Sequence, residues 1–175
     1  MKKQSRFLRP ALVTGLLVYL AGLMVPQSFQ MPVSGASRAD YNQESFWYHP
    51  WGRSGVHRGV DIFARPGTPV QPATPGFVQA TGHNGMGGNI MLVLGPKWRL
   101  HYYAHLESIE AKRFSFVGRS DWIGTVGATG NAAGKPAHLH YSIMTPVPYP
   151  WQADSGKRGW LKMFYLNPVK LLNEA

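Results

Sequence analysis

The amino-acid sequence predicts a mainly β protein: a compact antiparallel β-sheet or sandwich domain with Gly/Pro-rich loops, preceded by an N-terminal hydrophobic helix. The chain has 20 glycines and 14 prolines among 175 residues, and most of its apolar residues occur in short runs between them. Short apolar runs bounded by turn residues are typical of strands in an antiparallel sheet. The exception is a 15-residue apolar run at residues 11–25, which is long enough to form a helix.

Each strand is predicted from a short run of β-branched, aromatic or aliphatic residues that ends at a turn residue. Strands are expected at residues 60–63, from 70 onward, and at 76–80, 89–94, 99–106, 122–127 and 138–144. Loops are expected at residues 82–88, 128–134 and 145–159. A short helix is expected at residues 161–172, with Asn167 and Pro168 starting its last turn, because proline is favoured at the first helical position.

The N-terminal segment predicts export. Residues 1–9 include four basic residues, and residues 10–29 carry no charge. This pattern is typical of either a cleaved signal peptide or an uncleaved signal anchor. An anchor needs about 20 apolar residues, which residues 10–29 can just supply, so the anchor is the first expectation, with residues 1–9 in the cytoplasm. The protein is then periplasmic and anchored to the inner membrane; after cleavage it would be free in the periplasm or secreted.

The rest of the chain is predicted to form one domain. Residues 30–46 are polar and turn-rich and predict a linker, which leaves residues 47–175 for the β domain. One hypothesis is that residues 27–46 occlude a functional site, with Asn42 as a latency ligand.

Composition excludes several kinds of chemistry. The chain has no cysteine, which excludes a thiol nucleophile, a cysteine-ligated metal and a disulfide framework. The net charge is +10, and 14 of the 18 basic residues lie beyond residue 9, against 8 acidic residues. A basic body favours an anionic partner such as a membrane surface or a cell-wall polymer. The basic residues are scattered rather than clustered, so we expect no nucleic-acid partner.

Two short polar patterns suggest a metal site. His138 and His140 lie two residues apart in a predicted strand, so both side chains face one side of the sheet, about 7 Å apart along the strand. His57 and Asp61 form a second pair upstream. Two imidazoles and one carboxylate suit a catalytic zinc, which keeps one position open. Each pattern alone is equally compatible with hydrogen-bonded structural residues, although Asp61 lies in an apolar run, where a buried carboxylate needs a partner.

Four motifs in the same order resemble the lysostaphin/LytM-type family of zinc metallopeptidases, which are peptidoglycan endopeptidases with a duplicated-hybrid-motif-like β fold. The similarity covers residues 51–143, just over half of the chain. Its motifs are His-Arg-Gly-Val-Asp-Ile at 57–62, Gly-Thr-Pro-Val at 67–70, Tyr-Ala-His-Leu at 103–106, and Gly-Ala-Thr-Gly at 127–130 followed by His-Leu-His-Tyr at 138–141.

The resemblance implies a function and a role for each motif residue. It implies that His57, Asp61 and His140 bind Zn²⁺ and that His105 and His138 are the catalytic residues that flank the metal-activated water. Which of those two is the general base stays open. The expected activity is hydrolysis of peptide bonds in peptidoglycan stem peptides or cross-links. The alternatives are a non-catalytic cell-wall-binding or amidase-activating protein, and a peptidase that processes a protein substrate; because all five residues are present, an active enzyme is expected.

The sequence departs from the family pattern after the last motif. Members often carry Phe-Glu at the positions of Tyr141 and Ser142, and we expect this change to leave the metal ligands untouched.

Other polar residues are candidates for a substrate groove. His83 and Asn84 lie in a glycine-rich segment where a peptide could approach the backbone closely, and Tyr103 could also contact substrate. The alternatives are a surface turn for the first two residues and core packing for the tyrosine. His101 shares a face with His105 in a regular strand but lies about 13 Å from it, which predicts a structural role.

Overall fold

The computed structural model describes residues 5–175, with side chains from residue 10 onward. The predicted basic segment at residues 1–9 therefore lies outside the described side chains. Over the described residues the chain forms two α-helices and nine strands. In chain order these are α1 (Ser5–Met24), β1 (Val60–Phe63), β2 (Pro69–Val70), β3 (Gly76–Asn84), β4 (Gly88–Leu94), β5 (Leu100–Ile109), β6 (Phe116–Val117), β7 (Gly124–Val126), β8 (His138–Met144), β9 (Tyr165–Leu166) and α2 (Pro168–Asn173).

The strands form one antiparallel sheet, which confirms the predicted mainly β fold. The order across the sheet is β1-β8-β5-β4-β3-β6, with β7 beside β5 and β2, and β9 beside β8. The alternation of side chains along β8 shows how the sheet separates core from site. Leu139, Tyr141 and Ile143 are fully buried in the core, whereas His138 and His140 point to the opposite face.

The hairpin between β3 and β4 is longer than predicted. Residues 82–88 were expected to form a loop, but β3 continues to Asn84 and β4 begins at Gly88, which leaves a three-residue connection. The side-chain oxygen of Asn84 accepts hydrogen bonds from the backbone amides of Met86 and Gly87, at 3.0 and 2.7 Å, and closes the turn. Cross-strand pairing of His83 with Asn89 extends the ladder through a sequence whose glycines predict a loop.

Residues 30–46, predicted as a linker, instead pack on the sheet. Val33 is 1% exposed and forms a β-bridge with Val70. Phe29 and Met31 pack against the same core, and Tyr41 is buried in it. Apolar residues at positions 29, 31 and 33 alternate with other residues, which is the period-two pattern of an extended segment. The mostly polar residues that follow make this pattern easy to overlook in the sequence. The structural domain therefore begins well before residue 47.

The predicted N-terminal helix is present and ends at Met24, before the expected limit at residue 29. Within the part of the chain that the structure describes, we find no helix that combines the length and the apolar character needed to cross a membrane.

The C-terminal segment is divided among three elements rather than forming one helix. A 3₁₀ helix at Gly159–Phe164 leads into β9, which pairs with β8. The helix α2 follows, and Asn167 caps it by accepting from the backbone amides of Val169 and Lys170, with Pro168 at its first position as predicted. Tyr165 was expected to be helical, but it pairs with β8 instead. This pairing places the Tyr165 side chain in the lining of a groove beside β8.

The side chain of His101 is structural, as predicted, and fully buried. Arg99 donates to the Gln27 side-chain oxygen at 2.5 Å, which turns the Gln27 amide nitrogen toward His101 Nε2 at 3.1 Å. His101 Nε2 therefore accepts, and Nδ1–H donates to the Tyr141 hydroxyl at 2.6 Å. Burial, assisted by the positive charge of Arg99, lowers the pKa of His101 to about 3.

This buried imidazole should make folding stability depend on pH. Between about pH 6.5 and about pH 3 the unfolded chain binds a proton at residue 101 that the folded chain excludes, so this group lowers the free energy of unfolding as pH falls. The slope approaches about 1.4 kcal/mol per pH unit at most. The variant His101→Gln should be less stable than wild type near pH 7, and that difference should shrink toward about pH 4.5. Urea unfolding of both metal-free proteins would measure it; parallel pH curves would contradict the assignment.

Candidate metal centre

Local backbone geometry brings His57, Asp61 and His140 together. β1 and β8 pair in a register that sets Asp61 opposite His140. His57 lies just before β1 and reaches the same place because Gly59 allows the backbone to press against β8. A Cβ at position 59 would lie 2.5 Å from both Ser142 Oγ and the Tyr141 carbonyl oxygen, so no larger residue fits without displacement.

The three side chains converge on one point. Asp61 Oδ1 lies 3.1 Å from His57 Nε2 and 2.7 Å from His140 Nδ1, and the two nitrogens are 3.1 Å apart. All three atoms lie within 4.8 Å of one another. Two nitrogens and one carboxylate oxygen are a donor set that zinc accepts at a catalytic site.

The outer nitrogens of both imidazoles are held by hydrogen bonds. His57 Nδ1 lies 3.0 Å from the Ser45 carbonyl oxygen, and because that oxygen can only accept, Nδ1 carries the proton and Nε2 offers its lone pair inward. His140 Nε2 lies 3.0 Å from Ser142 Oγ, which can accept its proton and leave Nδ1 for a metal. Our expectation that the change at Ser142 leaves the predicted ligands untouched is therefore wrong: this hydroxyl contacts the predicted ligand His140 directly.

Electrostatics favour an ionised Asp61 carboxylate at this point. Burial alone would raise the pKa of Asp61, but the neighbouring His140 and His57 imidazoles outweigh this effect and hold that pKa well below its usual range. Burial lowers the pKa of His140, although the Asp61 charge opposes this change. Neutral imidazoles and a carboxylate anion are the protonation states that bind metal.

Residues 30–46 support this centre rather than blocking it. Ser45 supplies the carbonyl that orients His57. Asn42, the hypothetical latency ligand, instead accepts from the backbone amide of Glu44 at 2.8 Å in an exposed turn. Its amide therefore closes a local turn and is not turned toward the metal centre.

A break in β5 places His105 beside the metal centre. Along β5, Tyr103 and Leu106 are core residues, so a regular strand would alternate between them and could not turn both Ala104 and His105 to the opposite face. The register shifts there, and His105 has a φ of +64°. This β-bulge turns His105 into the groove, away from the face of His101, so the expectation that these two histidines share a face is wrong.

Loop contacts hold His105 in this conformation. Its backbone amide donates to the Gly87 carbonyl at 2.7 Å, and its Nδ1 lies 2.9 Å from the Thr129 carbonyl oxygen. Thr129 in turn donates its hydroxyl to Leu106 O at 2.9 Å. A Cβ at Gly130 would lie 2.2 Å from the backbone nitrogen of Gly88, so the two loops touch through glycine backbone. Burial lowers the pKa of His105 to about 4, which leaves the imidazole neutral near pH 7.

His138 completes the set of four imidazoles. Its Nδ1 lies 2.8 Å from the Pro136 carbonyl oxygen, so Nε2 points into the groove, 3.8 Å from Asp61 Oδ2. The His105 and His138 ring centroids are 5.0 Å apart. The two predicted catalytic histidines therefore stand side by side, next to the three predicted metal ligands.

These residues lie in a groove of about 710 Å³. Asn84 lines it, as predicted. Tyr103 does not: it is fully buried, and its hydroxyl accepts from the Ala73 amide at 2.9 Å. Its neighbour Tyr102 lines the groove instead and meets the His140 ring edge-on at 6.4 Å, because adjacent strand residues face opposite sides.

The predicted groove residue His83 is exposed outside the lining, with Nδ1 2.9 Å from Asn89 Oδ1.

Sequence reasoning missed several residues that support the site. Ser45 and Thr129 act through backbone carbonyls, which leave no trace in residue identity. Trp51 stacks on the His57 ring with centroids 4.2 Å apart. The nearest signal was the position of Trp51, six residues before the first histidine of the motif.

Comparison with known proteins agrees with this geometry. The sequence profile of peptidase family M23 matches residues 55–152, more than half of the chain. The L-Ala–D-Glu endopeptidase of Bacillus subtilis is 33% identical over 142 residues, which covers 76% of this chain and 40% of that protein. The peptidoglycan DD-endopeptidase ShyC of Vibrio cholerae is 34% identical over 97 residues, which covers 55% of this chain and 22% of that protein.

Similarity extends to a solved structure. The catalytic domain of the antimicrobial peptidase lysostaphin from Staphylococcus simulans gives a TM-score of 0.61 at 25% identity, over 79% of this chain and 98% of that one. The chain spans 40% or less of the length of the two curated relatives above. The profile match and the shared fold confirm the resemblance seen in the histidine motifs, and the chain belongs to peptidase family M23.

Proposed function

We propose that this protein is an exported zinc metalloendopeptidase that hydrolyses peptide bonds in peptidoglycan stem peptides or cross-links. The observation that carries the proposal is the convergence of His57 Nε2, Asp61 Oδ1 and His140 Nδ1 beside two further imidazoles in a chain of this family. A non-catalytic wall-binding or amidase-activating role would not require this complete set.

The three converging atoms fit zinc. Once His57 donates Nδ1–H to Ser45, its Nε2 lone pair faces the Asp61 carboxylate and a second imidazole nitrogen at 3.1 Å. Such a group of acceptors is stable only with a cation or protons between them. Zinc, when bound, acts as a Lewis acid toward the scissile carbonyl and lowers the pKa of water toward about 7.

The remaining side chains can bind substrate and move protons. His105 and His138 both present Nε2 to the groove because their Nδ1 protons are held by carbonyl oxygens. The neutral His105 imidazole can accept a proton at Nε2 near pH 7, and an imidazole in its protonated form can return that proton to the leaving amine. Tyr102 and Asn84 offer polar groups along the groove to orient a peptide.

The choice of peptidoglycan rests on the relatives and on charge. Two relatives carry names that specify endopeptidase activity, one on an L-Ala–D-Glu bond and one on peptidoglycan DD bonds. A net charge of +10 favours accumulation at an anionic wall. A protein-processing peptidase would use the same catalytic groups, so digestion of wall fragments beside protein substrates distinguishes the two.

Export is part of the proposal and rests on the basic segment at residues 1–9 followed by α1. Residues 10–29 would anchor the protein to the inner membrane with the M23 domain in the periplasm, or would be cleaved as a signal peptide. N-terminal sequencing of the protein from fractionated cells separates these alternatives.

Replacing one ligand should abolish both metal binding and catalysis. The wild-type chain should bind one zinc and cleave purified muropeptides. His140→Ala should lose zinc and reduce kcat/KM by at least about 1,000-fold, because the metal is needed both to polarise the scissile carbonyl and to lower the pKa of water. Metal content and product mass spectrometry measure the two outcomes. The matched control is His83→Ala, which removes an exposed imidazole outside the groove lining. Zinc-independent cleavage would overturn the proposal.

Ser142 should tune the affinity for zinc. Removing the hydroxyl that lies 3.0 Å from His140 Nε2 frees the imidazole to rotate or change tautomer. Ser142→Ala should weaken zinc binding by about 10-fold to 100-fold. Competition with a chromogenic chelator measures the affinity directly. Ser108→Ala is the matched control, because the Ser108 hydroxyl pairs with Thr125 Oγ1 at 2.9 Å and Ser108 is not among the groove-lining residues that the structure describes. Equal affinity in all three proteins would remove Ser142 from the metal centre.

A further inference from the structure

Cations line the groove on both sides of the metal centre. Its charged lining residues are Asp61 and three basic side chains, Arg53, Arg58 and Lys135. The Asp61 carboxylate contacts His57 Nε2 at 3.1 Å and His140 Nδ1 at 2.7 Å. Within residues 10–175, none of the three basic side chains forms an ion pair with a carboxylate. The groove therefore carries positive charge that the protein itself does not neutralise.

Arg58 is held in place at one end of the groove. It follows His57, and the next residue, Gly59, packs against Ser142 of β8. Its Nη1 donates to the Tyr165 hydroxyl at 3.2 Å, and its guanidinium carbon lies 5.6 Å from the centre of the Tyr165 ring. Since β9 pairs Tyr165 with Met144, Arg58 marks the Met144 end of β8. A guanidinium held on one edge keeps its other N–H groups for a planar anion such as a carboxylate.

Lys135 lines the groove toward the opposite, N-terminal end of β8. It lies three residues before His138, where β8 begins beside Phe63 of β1. From residue 138 to residue 144 an extended strand spans about 20 Å. His140, one of the three converging residues, lies between the two ends. A peptide that extends along the groove for about six residues would therefore meet one cation on each side of its scissile bond.

We propose that the groove selects peptides with a carboxylate on each side of the scissile bond, Arg58 binding one and Lys135 binding the other. This inference rests on the proposed endopeptidase function and narrows its substrate class. It assigns the enzyme to acidic stem peptides, which carry free carboxylates near their peptide bonds, rather than to uncharged glycine cross-bridges. Arg58 and Lys135 become specificity-determining residues, which act on substrate binding and not on proton transfer.

The test uses synthetic stem-type peptides and the zinc-loaded full-length chain. Three peptides share one sequence: the first has both carboxylates free, the second has only the N-terminal-side carboxylate amidated, and the third only the C-terminal-side one. Wild type should prefer the first by about 10-fold to 100-fold in kcat/KM, the range for a charge-assisted hydrogen bond. Arg58→Gln should remove the preference for one carboxylate, and Lys135→Gln the preference for the other, mainly through KM.

The matched control is Arg113→Gln, which makes the same change of charge outside the groove lining, where Arg113 lies 4.3 Å from the Phe114 ring. It should keep the wild-type preference. Arg58→Lys should recover part of the preference that Arg58→Gln loses.

The outcomes separate this inference from the proposed function. If wild type cleaves all three peptides equally, or if both groove variants affect the same carboxylate, the inference is overturned and the endopeptidase stands. If none of the three peptides is cleaved, calorimetry decides the inference independently, and the proposed function fails only if purified muropeptides are also left intact. Zinc-free His140→Ala protein should still bind the doubly charged peptide about 10-fold more tightly than the amidated ones; equal binding would overturn it.

Discussion

The site depends on a single kind of interaction: an imidazole Nδ1–H held by a backbone carbonyl. Three of the four groove histidines have it, and each then points Nε2 into the groove. The pairs are His57 with Ser45 at 3.0 Å, His105 with Thr129 at 2.9 Å and His138 with Pro136 at 2.8 Å. A carbonyl oxygen can only accept, so it fixes the tautomer as well as the ring orientation. His140 is the exception, since it turns Nδ1 inward and holds Nε2 against Ser142.

These carbonyls come from loops, so the site is only as rigid as the contacts that hold the loops. Residues 30–46 are fixed by Val33 in the core, which keeps Ser45 in place beneath His57. The Thr129 loop is locked to the β3–β4 hairpin through the close approach of Gly88 and Gly130. A larger side chain at either glycine would separate the loops and release the bulge at His105. The sheet therefore sets where most of the groove histidines lie, and the loop carbonyls set how the imidazole rings are oriented.

The sequence could predict what depends on local spacing. The pair of histidines two apart and the motif around Asp61 map directly onto strand alternation and one register, while the choice of three ligands among the four side chains came from the family resemblance. The sequence could not predict features that depend on strands formed by residues far along the chain. Tyr102 and Tyr103 are identical in type and differ only in which face the strand presents, and His105 faces the groove only because of a bulge. Pairing with residues far along the chain decides both features.

Charge links the body of the protein to its groove. Asp61 is the one carboxylate among the groove-lining residues that the structure describes, and a bound divalent cation would outweigh its negative charge. The metal centre then adds to the field of Arg58 and Lys135 instead of cancelling it. Low-dielectric walls such as Trp51 and Phe63 strengthen that field inside the groove relative to bulk water. An uncharged peptide gains nothing from this potential, whereas an acidic peptide gains at each end, so the groove favours the substrate whose charge opposes its own.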